Sequence, residues 1–351
     1  KKNATYNMIF GERSNGKTYS VLKYGIEQFF KNRGQIAIVR RWKEDITGRR
    51  ASDIFSALNA NNEVYKISKG AFSGITYFAG RFFVCNYDDG GKPLYNLDTD
   101  CIGYCFALSE TEHNKSISYP YITTIMFDEF LTKHVYLQDE FVFFMNTIST
   151  IVRHRTNVKI FMLGNTVNKY CPYFNEMGLT NVLKMKQGSI DVYTYGTSEL
   201  TVAVEYCASM ESTKENNFYF AFNNPKLHMI TGGAWELDIY PHCPMKYKPH
   251  NIVFTYFIIF NDRIYQCEIV EVDDNMFTFI HEKTTPLKNT DNDLIYTLEF
   301  CHKLNYNRSI YKPINKLQER ILWFFKTDRV FYQNNGVGDT INNYLKICKG
   351  F

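Results

Sequence analysis

Eight consecutive residues near the start of the chain, Gly11-Glu12-Arg13-Ser14-Asn15-Gly16-Lys17-Thr18, fit the pattern G-x-x-x-x-G-K-[ST] in full. The chemistry this run can do is phosphate binding. Glycines let such a loop wrap so that its backbone N–H groups point inward, and the helix that follows adds the positive end of its dipole. Lys17 is expected to reach the β- and γ-phosphates of a nucleoside triphosphate, and the Thr18 hydroxyl to bind Mg²⁺. The short apolar run Asn3–Phe10 precedes the loop, and Leu22, Ile26, Phe29 and Phe30 follow it at helical spacing. That is the strand–loop–helix context the motif needs. A glycine-rich turn that merely caps a helix is the bland alternative.

A second run, Thr124-Ile125-Met126-Phe127-Asp128-Glu129, is an apolar strand ending in two carboxylates. Asp128 at the strand end is expected to hold Mg²⁺ through water, and Glu129 to polarise the attacking water as general base. Apolar runs ending in Asp-Glu are common and mostly structural; downstream of a phosphate loop the pair reads as an ATP hydrolase. Glu129 points to P-loop ATPases with an added catalytic glutamate, away from GTPases that use a glutamine. A third run, Ile160-Phe161-Met162-Leu163-Gly164-Asn165, ends in an amide able to sense the γ-phosphate, although Gly-Asn is also ordinary turn chemistry. Arg153 and Arg155 lie between a helix expected at about Glu140–Ile151 and a strand expected at Val158–Leu163. An arginine here either reaches a neighbouring subunit's nucleotide or decorates a helix C-terminus, where cations are favoured anyway. Arg40, Arg41 and Lys43 follow an apolar strand at Ile36–Val39 and are candidates for phosphate or DNA-backbone contact. Lys66, Lys69, Lys115, Lys246 and Lys248 are scattered cations of the kind that mostly face solvent.

These residues must be positioned by an α/β framework. The length of 351 residues fits two domains at about 100–200 residues each. Residues 1–200 alternate strands and helices, the pattern of a parallel sheet flanked by helices, with glycine-punctuated aromatic hairpins inserted at 70–108. Residues 201–227 read as a linker that opens with a strand at Thr201–Tyr206. Residues 228–351 read as a separate α+β domain. Its three strands are expected at Asn251–Phe260, Arg263–Val272 and Met276–Glu282, followed by helices at about 292–304 and 314–326. A net charge of +4 is weak support for a nucleic-acid partner. The nine cysteines form no C-x2-C pairs and are expected to be reduced thiols. No apolar run approaches the roughly 18 residues of a membrane span, so no membrane partner is expected and cytoplasm follows by default. The chain opens on Lys1, so its true start is read as lying upstream.

The segments Gly11-x-Arg13-x-x-Gly16-Lys17-Thr18, Val39-Arg40-Arg41-Trp42-Lys43, Tyr119-Pro120, Thr124–Phe130 and Pro172-Tyr173-Phe174 resemble the DNA-packaging motor ATPases of small protein-primed tailed phages. These are the phi-29 type, relatives of the large terminase subunits. The resemblance spans most of the chain and is densest from 1 to about 175; Lys-Thr replaces the family's Lys-Ser, a neutral exchange. It implies an ASCE-type P-loop NTPase fold with ATP and Mg²⁺ as cofactors, and a C-terminal domain similar to an RNase H-like nuclease. It further implies a homo-oligomeric ring (a pentamer), double-stranded DNA and the procapsid's portal protein as partners, and an RNA scaffold. The setting implied is the host bacterial cytoplasm, docked on the procapsid. By position, Arg153 resembles the arginine finger acting across subunits, Lys115 a second trans-acting basic residue, and Lys43 a basic residue close to the nucleotide. Two-metal cleavage needs clustered carboxylates, normally with one on the first strand. Asn251–Phe260 has none, so the nuclease-like domain is expected to be vestigial.

The function expected is ATP-driven translocation of double-stranded DNA into a viral procapsid. The rivals are a helicase or translocase of the same P-loop class, and a nucleotide-gated structural protein. Glu129 argues against the second, because binding alone needs no catalytic base.

Overall fold

The computed structural model describes the chain apart from residues 1–2, 14, 111–116, 133–134, 167–170, 197–198, 209–239, 274 and 350–351, and the side chain at 183. Two compact units emerge, Lys1–Lys133 with Asp139–Glu236, and His134–Gln138 with Leu237–Phe351.

The first unit begins with β1 (Tyr6–Gly11), α1 (Lys17–Asn32) and β2 (Gln35–Arg40). Three short helices follow, α2 (Gly48–Ser52), α3 (Ser56–Ala60) and α4 (Glu63–Ile67), and then β3 (Gly74–Phe78), β4 (Arg81–Tyr87), β5 (Pro93–Leu94) and β6 (Cys101–Ala107). The remainder is β7 (Ile122–Asp128), α5 (Glu140–Val152), β8 (Lys159–Asn165), α6 (Pro172–Glu176), β9 (Ile190–Thr194) and β10 (Thr201–Tyr206). The strands form one ten-stranded sheet in the order β3-β4-β6-β2-β7-β8-β1-β10-β9, with β5 paired to β4. From β6 to β10 along that order all neighbours are parallel.

A strand buried on both faces reads as a continuous apolar run, and Ile36, Ala37, Ile38 and Val39 of β2 are all fully buried. On one face Leu22, Ile26 and Phe29 of α1 pack with Ile36, Ile38, Met126 and Leu163. The opposite side of β7 offers Phe127, whose ring lies 5.0 Å from Phe144 of α5 and 5.7 Å from Tyr173 of α6. Parallel strands place all their C-terminal ends at one sheet edge, where α/β proteins bind ligands.

Two expectations need correction here. The hairpins at 70–108 are not a separate insertion: β6 pairs parallel with β2, so they extend the sheet outward. Thr201–Tyr206 hydrogen-bonds to β1 in register Tyr6↔Val202 through Phe10↔Tyr206, so the first sheet runs past the expected limit at residue 200. Most of the expected linker lies outside the described residues.

In the second unit, β11 (Ile252–Phe260), β12 (Arg263–Val272) and β13 (Asn275–Lys283) form the expected antiparallel meander. The first turn is Asn261-Asp262, with φ of 51° and 56°, the left-handed pair that a two-residue hairpin demands. β14 (Ile295–Thr297), β15 (Tyr306–Asn307), α7 (Lys316–Lys326), β16 (Val330–Tyr332) and α8 (Asn335–Cys348) complete it. The sheet order is β15-β14-β11-β12-β13-β16. Tyr256, Ile258, Tyr265, Cys267 and Ile280 share a core with Ile321 and Phe324 of α7 and Ile341 and Tyr344 of α8.

The helix expected at about 292–304 is instead strand β14 with flanking turns. Ile295-Tyr296-Thr297 are β-branched and aromatic residues, they are buried, and they pair with Phe257–Ile259. The last helix, α8, was not anticipated because it opens on Asn-Gly-Val-Gly, a turn signal. Asn334 caps it, its side chain accepting from the Val337 N–H at 3.0 Å. Among the described residues no helix is long and apolar enough to cross a membrane.

Candidate active site

Four strand ends converge at the C-terminal edge of the first sheet. In the registers Gly11↔Asn165 and Asp128↔Leu163, the ends of β1, β8 and β7 lie side by side. The loop after β1 is packed tightly. A Cβ on Gly11 would come within 2.9 Å of the Cys207 Cβ, and Gly16 takes φ 75° immediately before α1. α1 has no acidic side chain in its first turn, leaving the positive end of its dipole open to an anion.

Lys17 reaches back across this loop. Its Nζ donates to the Glu12 carbonyl at 2.6 Å, to Asn15 Oδ1 at 2.8 Å and to Asn165 Oδ1 at 3.2 Å. Burial draws the Lys17 ammonium below its ordinary pKa, while the nearby Cys207, Asp128 and Glu12 act the other way. The Thr18 hydroxyl donates to Asp128 Oδ1 at 3.2 Å, and the Glu129 N–H donates to the same oxygen. Asp128 is held above the usual carboxylate range, mainly by burial and further by Glu129, against the pull of Arg40 and Thr18.

The end of β2 supplies what the sequence reading did not assign. Arg40 Nη2 binds Asp128 Oδ2 at 2.8 Å and its Nη1 binds Glu129 Oε2 at 2.9 Å. One guanidinium thus bridges both candidate catalytic carboxylates. Asp128 is almost wholly buried, whereas the Glu129 side chain is 64% exposed on a backbone with φ 62°. Arg41 turns to the other face. It forms a two-pronged ion pair with buried Glu140 of α5 at 2.6 and 2.8 Å. It also donates to the carbonyls of Glu129 and Phe130 at 3.2 and 3.0 Å, and the Tyr173 hydroxyl donates to Glu140 at 2.9 Å. Arg40 and Arg41 are therefore tied into the site and not displayed for a DNA backbone. The signal for Arg40 was its place at the end of a buried strand, which parallel topology carries to the same edge as Asp128.

Of the residues singled out from sequence, Gly11, Asn15, Gly16, Lys17, Thr18, Asp128, Glu129 and Asn165 come together at this edge. Arg13 is exposed. Ser14 and Lys115 lie outside the described residues. Lys43 is paired with Glu110 at 2.6 Å on the surface, separate from the Lys17–Asp128 network in its described contacts. Arg153 stands exposed at the C-cap of α5 and donates to the Ile117 carbonyl at 3.0 Å.

Thr18 and Asp128 form the all-oxygen pair that Mg²⁺ takes alongside phosphates and waters. Both offer oxygen and Asp128 offers negative charge, so the residues fit a cation, which would compete with the Arg40 guanidinium now on the other Asp128 oxygen.

Comparison with known proteins finds relatives among phage DNA packaging proteins. The DNA packaging protein of Bacillus phage B103 is 30% identical over 178 residues, covering 49% of this chain and 48% of that protein. The DNA packaging protein of Bacillus phage phi29 is 26% identical over 211 residues, covering 59% and 56%. The match spans about half the length of these curated relatives. The solved Phi-28 gp11 DNA packaging motor is similar with a TM-score of 0.58 at 18% identity, over 99% of this chain and 95% of that one; at that identity the likeness speaks for the fold alone. Residues 1–219 match the family described as Podovirus DNA encapsidation protein (Gp16). That stretch is more than half of the chain and carries every element of the site, so the protein belongs to the podovirus DNA encapsidation family.

Proposed function

We propose that this chain hydrolyses ATP to drive double-stranded DNA into a viral procapsid. The observation that carries the reading is the meeting of Lys17, Thr18, Asp128 and Glu129 at one sheet edge in a chain of an encapsidation family. Lys17 is held by neutral acceptors, which a phosphate oxyanion outcompetes because charge-assisted hydrogen bonds are about twice as strong. Asn165, released by Lys17, is then free to face the γ-phosphate. Mg²⁺, when bound through Thr18 and Asp128, supplies charge neutralisation on the phosphate oxygens. Glu129 accepts a proton from the attacking water only once Arg40 lets it go, since the ion pair occupies its Oε2. Arg153 acts on the nucleotide of the next subunit in a homomeric ring, a pentamer by resemblance, together with Lys115. Lys43 contributes charge near the nucleotide. The ring works docked on the portal in the host cytoplasm, with an RNA scaffold by resemblance. Contacts to DNA phosphates make transport insensitive to sequence.

The second unit is proposed as a vestigial RNase H-like domain. Three antiparallel strands flanked by two parallel ones, in the order β13-β12-β11-β14-β15, support that reading. No helix occupies the β13–β14 connection and β11 carries no carboxylate. In vitro packaging tests the function: procapsids, linear duplex DNA and ATP should yield nuclease-protected DNA with the native chain and none with Glu129→Gln. Hydrolysis that never protects DNA would contradict the packaging role.

A further inference from the structure

Arg153 and Arg155 share a short loop but are used differently. Arg153 and His154 take φ of 40° and 68°, left-handed values that side chains with a Cβ hold only where the surroundings over-determine them. Both are exposed, and Arg153 makes a hydrogen bond to the Ile117 carbonyl at 3.0 Å. Arg155 can fix the turn. A guanidinium has five N–H donors in a planar fork, and here five backbone carbonyls accept from it. Nε donates to Val152 at 3.2 Å, Nη1 to Pro120 at 3.0 Å and Ile122 at 2.6 Å, and Nη2 to Tyr119 at 3.0 Å and Ile151 at 2.7 Å.

Two of those carbonyls belong to the last turn of α5, where helix geometry leaves C=O groups without intrahelical partners. The other three line the chain entering β7, the strand that ends in Asp128. One side chain therefore locks the end of α5 to the root of that strand. A lysine offers three donors from a single point and cannot span five carbonyls.

We propose that Arg155 is the positioning residue for the trans-acting arginine: it clamps the α5 terminus to the Tyr119–Ile122 segment and so aims Arg153 at the neighbouring subunit's nucleotide. This rests on the proposed trans role of Arg153. It separates two arginines that look equivalent in sequence, giving one the contact across the interface and the other its support.

The test is subunit mixing with the full chain. Arg155→Gln alone should bind a fluorescent ATP analogue with native affinity and lose hydrolysis by about 10²-fold, the effect of a misplacement near 1 Å. Lys17→Ala subunits, unable to hold nucleotide but with Arg153 and Arg155 intact, should restore hydrolysis when mixed with Arg155→Gln subunits. Arg153→Ala mixed with Lys17→Ala is the parallel arm. Recovery there without recovery for Arg155→Gln would overturn the positioning role and leave the trans reading intact. No recovery with Arg153→Ala would sink the trans reading itself. Arg155→Lys should fall between native and Arg155→Gln. Native hydrolysis in Arg155→Gln, or loss of analogue binding in both Arg155 variants, would equally overturn the proposal.

Discussion

In the first sheet the acidic groups of interest stand at the ends of parallel strands, whereas in the second the buried carboxylate stands in the middle of an antiparallel one. Asp128 closes β7 and is met by Thr18 at the start of α1, Arg40 at the end of β2 and the N–H of Glu129. Glu268 lies within β12 and is met by its own surface, accepting from Tyr247 at 2.6 Å and Gln266 at 2.7 Å, with His281 at 3.4 Å. Parallel crossovers gather strand termini at one edge where loops can open to a ligand. A mid-strand acid in a meander is hemmed in by neighbours and becomes part of the packing. The same residue type is thus placed for chemistry in one unit and for structure in the other.

That contrast can be broken by substitution. Glu129→Gln should lower kcat for ATP by about 10³-fold, within the range for a lost general base, with nucleotide binding retained. Glu268→Gln should leave steady-state hydrolysis at the native rate. If the two behaved alike, the distinction between strand-end and mid-strand acids would fail. The second effect in size concerns the support beneath Glu129. Glu140→Gln removes one partner of the buried Arg41 pair, and breaking such a pair costs about 3 kcal/mol. Thermal melting should show the loss in the nucleotide-free protein; an unchanged transition would mean that Arg41 is satisfied by the Glu129 and Phe130 carbonyls alone.

The smallest effect tests the second sheet by pH. Hydrogen bonding to Glu268 raises His281 above its ordinary 6.5, against the pull of burial. A histidine with a raised folded pKa stabilises below its unfolded value, and the contribution disappears as pH rises through the folded one. The stability gap between the native chain and His281→Gln, at most about 1 kcal/mol, should therefore be largest well below pH 6.5 and shrink as pH rises above it. A gap that widened with pH would contradict the pairing.

The nucleotide site was legible because its parts are local: a loop that must have glycine at 16, and strands whose last residues are Asp128 and Asn165. Strand order could not be read the same way. That Arg40 reaches Asp128 depends on β2 lying next to β7, a pairing over 88 positions that no periodicity encodes. Arg155 was visible only as a cation near a helix end; its five carbonyl partners come from two segments that meet in the fold. At the C-terminus, β14 was mistaken for helix because a three-residue strand has too little pattern to announce its period, and α8 was hidden behind its capping asparagine and glycines.

The most direct measurement is steady-state ATP hydrolysis as a function of protein concentration, with and without long duplex DNA. The account predicts turnover per subunit that rises with concentration as sites are completed between neighbours, and rises again with DNA. Turnover independent of both would leave a phosphate loop in place and contradict a DNA-driven ring with shared active sites.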